Sequence, residues 1–192
     1  MTAEMPAAAN LVSVIVPAYN AQRHLDATLR SVRAQTHREL EILVVDDGSN
    51  DGTRQIAEHH ARADDRITVL VQPNAGVAAA RNLAIAQASG RYIAPIDADD
   101  LWAADKIERQ LAAMRAGKGR VGLVYCWYAR IDEDDRIIDR VARAQAEGNV
   151  ITAMCNRNIV GNGSAPLMLR EAGLAAGCYD PGLRAIGAEG CE

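Results

Sequence analysis

Four times within residues 11–116 a short apolar, largely β-branched run gives way to a segment with helical spacing, and that alternation leaves few folds open. The runs fall at 11–16, 41–45, 67–71 and 92–96. They are continuous rather than alternating, the pattern of strands covered on both faces. After the first run, Leu25, Leu29 and Val32 recur at helical spacing, with Asn20 placed to cap that segment. Helices are expected at 53–63, 77–88 and 104–116, the last presenting Ile107, Leu111 and Met114 on one side. Consecutive strand–helix units imply right-handed crossovers and a doubly wound sheet. The fold class is therefore α/β: a Rossmann-like, mostly parallel sheet with helices on both faces, in three α/β/α layers.

The second half is patterned more loosely. A strand is expected over 122–128, with 136–139 pairing to it as a hairpin around Asp132-Glu133-Asp134-Asp135. Beyond Val141 the periodicity fades; 161–165 reads as a flexible loop, 167–176 as a strand passing into a helix, and Asp180-Pro181-Gly182 as a turn. Neither repeats nor a low-complexity linker interrupt the chain, so residues 11–192 read as one domain behind a disordered tail at 1–10.

Charge and composition remove several function classes. A net charge of −4 and the lack of a basic, aromatic-interleaved stretch argue against nucleic acid as a partner. No apolar run approaches the ~20 residues that span a bilayer, and residues 1–10 lack the form of a secretion signal. A cytoplasmic protein is expected, with peripheral membrane contact still open to it. Cys126, Cys155, Cys178 and Cys191 are scattered and read as reduced thiols. His24, His37, His59 and His60 show no ligand spacing, and His59 and His60 are expected at the surface of their helix.

Ligands of doubly wound sheets bind at the carboxyl ends of the strands. The loops there carry Pro17-Ala18-Tyr19-Asn20, Asp46-Asp47 and Asp97-Ala98-Asp99-Asp100. Three carboxylates within four residues repel one another unless a cation lies between them, and a hard divalent ion such as Mg²⁺ or Mn²⁺ takes oxygen ligands of this kind. Tyr19 offers a ring face for a base, Asp47 an acceptor for a ring N–H, and Arg81 a guanidinium for a diphosphate. Neither a GxGxxG run nor a glycine-rich phosphate loop is present, so phosphate charge would fall to metal and arginine.

Taken in order, residues 12–20 (Val-Ser-Val-Ile-Val-Pro-Ala-Tyr-Asn), Val44-Val45-Asp46-Asp47-Gly48-Ser49, Asn74-Ala75-Gly76 with Arg81-Asn82, and Asp97-Ala98-Asp99-Asp100 resemble the family-two inverting glycosyltransferases. The resemblance implies a nucleotide-diphospho-sugar transferase fold of the glycosyltransferase-A type, with residues 11–116 as the donor-nucleotide half and 117–192 as an incomplete acceptor half. It implies Pro17, Ala18, Tyr19, Asn20 and Asp47 around the base, Arg81 near the diphosphate, and the DXD segment Asp97, Ala98 and Asp99 on ribose. Asp99 or Asp100 would hold Mg²⁺ or Mn²⁺, Asp99 being favoured. Asn162, Gly163 and Ser164 resemble the acceptor-side loop. The implied partners are a nucleotide-diphospho-sugar donor, with UDP favoured, and a glycan, lipid-linked or protein acceptor. In that family the base is the Asp of a Glu-Asp pair. Glu192 resembles the Glu of that pair and closes the sequence, so donor binding with weak or no catalysis is the expectation. Two other readings stand beside this one. A non-catalytic nucleotide-binding domain would keep the same crevice. A phosphoacceptor receiver domain would use residues 42–47 as its first strand and Asp97 as its phosphorylated carboxylate, but a complete strand–helix unit precedes that strand.

Overall fold

A computed structural model describes residues 9–117, 121–132, 134, 136–140, 145–156 and 158–182. Six strands form the main sheet in the order β3-β2-β1-β4-β8-β5. Strand β1 (Val12–Ala18) lies between β2 (Leu40–Asp46) and β4 (Tyr92–Pro95), with β3 (Ile67–Val71) outside β2, and these four strands are parallel. Val12 faces Leu40 on one side and Tyr92 on the other, so the carboxyl ends of β1, β2 and β4 open on one edge. Strand β8 (Pro166–Leu169) runs antiparallel between β4 and β5 (Leu123–Tyr125). The expected mostly parallel sheet is thus present, with one reversed strand inserted.

Period-two alternation of side chains divides the core in two. Val12, Val14 and Val16 point to the face covered by α1 (Leu25–Arg33), α2 (Thr53–Ala63) and α4 (Lys106–Ala116), through Leu25, Leu29, Ala57, Ile107 and Leu111. Ile15, Leu43, Val45 and Ile93 point to the opposite face, where α3 (Val77–Gln87) lays down Ala80, Ala84 and Ile85. Small alanines let that helix lie close to the strands.

Several expectations change. Asn20 does not cap α1; it adopts a left-handed φ of +48° and belongs to the crevice loop, while His24 precedes the helix without a side-chain cap. His60 is buried, not superficial: its Nε2 meets Asp26 Oδ1 at 2.9 Å and its Nδ1 meets the Arg33 guanidinium at 3.2 Å, tying α1 to α2. Arg33 can only donate, so Nε2 is the nitrogen that carries hydrogen toward Asp26. The 136–139 segment pairs not with 122–128 but within a separate ribbon, β6 (Ala129–Ile131) against β7 (Ile137–Arg140). A short helix, α5 (Ile151–Asn156), stands in a segment without clear periodicity, whereas β8 passes directly into α6 (Arg170–Ala175), as expected for 167–176. Helix α4 starts at Lys106 because Gln35 takes the Ile107 N–H on its Oε1 at 3.1 Å and donates to the Ala103 carbonyl at 2.8 Å. Cys126, Cys155 and Cys178 are free thiols. Among the described residues no helix is long and apolar enough to cross a membrane.

Candidate functional site

The strand order reverses between β1 and β4, and at such a switch point the flanking loops part to leave a crevice. The three carboxylate- and tyrosine-bearing loops all emerge there. The loop after β1 is laced to the loop after β2 by the Asp47 N–H on the Ala18 carbonyl (2.9 Å), the Asn20 N–H on Ser49 Oγ (3.0 Å) and the Asn50 N–H on Asn20 Oδ1 (2.9 Å). The left-handed turn at Asn20 makes that lacing possible. Pro17 and Ala18 are buried at the strand end, whereas Tyr19 is 50% exposed on the rim.

Asp47 is 3% exposed and heavily engaged. Its Oδ1 accepts from Gln72 Nε2 (2.6 Å) and the Ala75 N–H (2.8 Å), and its Oδ2 accepts the Gly76 N–H (2.9 Å). These bonds fix the entrance to α3, and Oδ2 keeps one lone pair open. Gly48, at φ +74°, is obligatory here, because a Cβ would come within 2.8 Å of the Asn74 amide nitrogen.

Arg81 lies one turn into α3 and is only 3% exposed. It donates to Asp97 Oδ1 at 2.7 Å and stacks 5.0 Å from the centre of the Tyr179 ring. The first partner of this guanidinium is therefore a carboxylate of the next loop. Asn82 holds Tyr179 in place with two bonds to its backbone, donating to the carbonyl at 2.7 Å and accepting the N–H at 3.0 Å.

The turn after β4 spreads its three carboxylates. Asp97 pairs with Arg81, Asp100 turns inward, and Asp99 is exposed. Ser164 bridges the turn: its hydroxyl accepts the Asp97 N–H at 2.9 Å and donates to Asp100 Oδ2 at 2.5 Å, and Asn162 Nδ2 adds a bond to the same oxygen at 3.2 Å. Burial pushes the Asp100 carboxyl above its usual range, the Ser164 bond opposes this, and the charges of Asp97 and Asp99 add to the rise. Gly163 leaves no room for a side chain, since a Cβ would meet Arg81 Nη2 at 2.5 Å and Asp97 Oδ2 at 3.0 Å. The Thr28 hydroxyl donates to the Ala98 carbonyl at 2.9 Å from α1. The Trp102 indole donates to the Ser164 carbonyl at 3.0 Å.

Among the described residues no three acidic, histidine or cysteine side chains gather into a closed metal cage. One or two carboxylates facing a crevice fit a Mg²⁺-like ion, which completes its octahedron with waters and substrate phosphates rather than with protein alone. Of the two carboxylates expected to hold such an ion, Asp99 is exposed and Asp100 Oδ2 is already engaged by Ser164 and Asn162.

Residues 13–167 match the profile of glycosyl transferase family 2. The chain belongs to that family. It is 40% identical over 135 residues to TuaG of Bacillus subtilis, whose name places it in teichuronic acid biosynthesis, covering 70% of this chain and 53% of the relative. Identity to WfgD of Escherichia coli, a UDP-Glc:α-D-GlcNAc-diphosphoundecaprenol β-1,3-glucosyltransferase, is 39% over 147 residues, or 76% of this chain and 56% of that protein. The chain thus spans about half the length of these curated relatives. The fold matches that of Staphylococcus aureus TarS 1–349 in complex with UDP at a TM-score of 0.74 and 22% identity, covering 91% of this chain and 52% of TarS 1–349. A mannosyltransferase from Pyrobaculum calidifontis, in complex with GDP-Man and Mn²⁺, matches at 0.70 and 23% identity, covering 98% and 52%. The expected nucleotide-diphospho-sugar transferase fold is the one observed.

The structure brings Tyr19, Asn20, Asp47, Arg81, Asp97, Asp99, Asp100, Asn162, Gly163 and Ser164 to one end of the sheet. Glu192 lies outside the described residues, as do residues 1–8 of the expected tail. Asn10 is described, and its side-chain oxygen accepts from Arg115 at 2.9 Å. Sequence reasoning missed Tyr179 and Trp102 as parts of the site. Tyr179 lies 97 positions from the Asn82 that holds it, so no local pattern could have announced it.

Proposed function

We propose that the chain forms the donor-binding part of a glycosyltransferase that moves a sugar from a nucleotide-diphospho-sugar, with UDP the favoured nucleotide, to an acceptor hydroxyl with inversion. What supports this most directly is the exposed Asp99 standing beside the paired Asp97 and the half-buried Asp100, at the edge where the β1, β2 and β4 loops meet. In this reading residues 11–116 bind the donor and residues 117–192 contribute to the acceptor side. Tyr19 stacks on the base, with Pro17, Ala18 and Asn20 shaping the rim. The free lone pair of Asp47 Oδ2 faces the base N–H, and Asp97, Ala98 and Asp99 line the ribose.

Asp99, backed by Asp100, would hold Mg²⁺ or Mn²⁺. When bound, that cation supplies positive charge for the departing diphosphate. Arg81 keeps Asp97 oriented and adds its own positive field to the same region. An inverting transfer needs a carboxylate to take the acceptor's proton, a contribution of roughly 10²–10⁴-fold. That base is assigned to the neighbourhood of Glu192. TuaG is named for teichuronic acid biosynthesis and WfgD for glucosyl transfer to a GlcNAc-diphosphoundecaprenol, and on that ground a lipid-linked or cell-wall glycan is the proposed acceptor, reached by peripheral membrane contact.

Thermal unfolding of the chain in Mn²⁺ with UDP, GDP or dTDP tests the donor reading. One nucleotide is expected to raise Tm in a concentration-dependent way, since a ligand that binds only the folded state stabilises it. Identical unfolding with all three contradicts a donor site.

A further inference from the structure

Helix α6 ends in a tight reversal that brings the chain to α3. The Gly177 N–H bonds to the Leu174 carbonyl at 3.1 Å and the Cys178 N–H to the Gly173 carbonyl at 3.0 Å, the paired bonds of a Schellman end. Gly177 makes the turn at φ +93°, and Cys178 continues it at φ +62°. A residue with a side chain rarely adopts that backbone, and it persists where the surroundings hold it in place. Here the surroundings include Asn82, whose amide grips both backbone polar groups of the next residue, Tyr179, at 2.7 and 3.0 Å. Asn82 directly follows Arg81, and the grip sets the Tyr179 ring over the Arg81 guanidinium, 5.0 Å from the ring centre. Tyr179 also packs with Cys178 against the core beneath α3.

We propose that Tyr179 is a positioning residue for donor binding: held by Asn82, its ring keeps the Arg81 guanidinium in the orientation that pairs with Asp97 and offers its charge to the donor diphosphate. The inference rests on the donor reading above and adds to it a residue from beyond α6. Arg81 reaches Asp97 Oδ1 from Nη2. One bond of that kind lets a guanidinium pivot about it, and a second constraint fixes its plane. A ring face supplies one, because it attracts a cation without occupying the N–H groups that meet phosphate oxygens. A second carboxylate would also fix the plane, but it would cancel the charge that a diphosphate needs. An aliphatic side chain would fill the same space with no attraction for the cation. The Arg81 side chain is only 4% exposed, so water does little to weaken the contact. The adjacency of Arg81 and Asn82 then has a purpose: one turn of α3 both grips the strap and receives its ring. Asp47 fixes the start of the same helix, so groups on the base side and the diphosphate side share one rigid element.

Calorimetric titration of UDP in Mn²⁺ into the full chain and into Tyr179 variants tests the assignment. Tyr179→Leu keeps apolar bulk but removes the ring face, and UDP should bind it at least about fivefold more weakly, the size of a desolvated cation–π contact. Its preference for UDP over uridine should shrink by the same factor, because the loss lies at the phosphates. Tyr179→Phe, which keeps the ring, should recover most of that loss. Proton–nitrogen NMR reads the contact itself. Arg81 side-chain resonances, displaced by the ring current in the parent and in Tyr179→Phe, should move toward ordinary arginine positions in Tyr179→Leu. Asn82→Ala frees the Tyr179 backbone but leaves the ring, and it should move the same resonances and weaken UDP in the same direction. It carries the test if Tyr179→Leu gives no folded spectrum. Parent-like UDP affinity in Tyr179→Leu, an equal loss in the Leu and Phe variants, or Arg81 resonances unmoved by loss of the ring overturns the inference. Absence of UDP binding in the parent overturns the donor reading beneath it, whereas UDP binding indifferent to Tyr179 overturns only the positioning role.

Discussion

The two halves of this chain are built by different means. Up to α4 the strands are parallel, the central β1 and β2 have seven residues each and are covered on both faces, and every crevice loop is fastened by bonds to another loop or helix. Beyond α4 the strands have three or four residues, and the β6–β7 ribbon stands apart with Ile137 58% and Ile138 62% exposed. A lone two-stranded ribbon is marginal in water, and here it borrows little from the core. The site sits where the halves meet: the rigid half supplies Asp97, Asp99 and Arg81, and the looser one supplies Asn162, Gly163 and Ser164. A closely bonded region is thus joined to a more loosely built one, the arrangement in which a scaffold holds loops for binding.

Truncating the rigid half should have the largest effect. Ile15→Ala removes a fully buried side chain from the central strand and should cost about 3–4 kcal/mol in chemical denaturation. Asp47→Ala comes next. It strips the Ala75 and Gly76 amides and Gln72 of their shared carboxylate, and a loss of about 2–3 kcal/mol is expected, with faster amide exchange at the start of α3.

A third expectation concerns the seam. Lys106 is buried beneath Trp102, its ammonium 4.0 Å from the ring centre and 2.8 Å from Gln110 Oε1. Burial lowers its pKa to about 8, opposed only by the nearby Cys126. Below that pH both folded and unfolded chains carry the proton and the full burial cost is present. Between about pH 8 and the ordinary lysine value the unfolded chain binds more protons, so stability should rise with pH, by up to ~2–3 kcal/mol. Lys106→Met should flatten that rise. The smallest effect belongs to the ribbon: Ile138→Lys should change stability by no more than about 0.5 kcal/mol. A cost of several kcal/mol there would show that the ribbon is held as firmly as the sheet.

The same contrast explains what could be read from residues alone. Continuous β-branched runs bounded by Pro17 and by the Asp-Gly turn specify buried strands locally, so the first four strands and the α2 bounds were legible. β8 was not legible as a strand inserted between β4 and β5, because its neighbours are chosen by distant packing. The ribbon partner was misread since Ala129–Ile131 and Leu123–Tyr125 are too short to carry a register signal. His60 was misplaced because its burial depends on Asp26 and Arg33 of another helix. The acidic turn announced itself through charge density, but the inward rotation of Asp100 toward Ser164 could come only from the fold.

The most direct test of the donor-site account is calorimetric titration of UDP into the chain with Mn²⁺, repeated with a chelator and on Asp99→Ala. Asp99 is exposed, and its removal should leave the fold intact. The account predicts metal-dependent binding that weakens at least about tenfold in the variant, a change near 1.4 kcal/mol. UDP affinity unaffected by both the chelator and the substitution would place the nucleotide elsewhere and contradict the account.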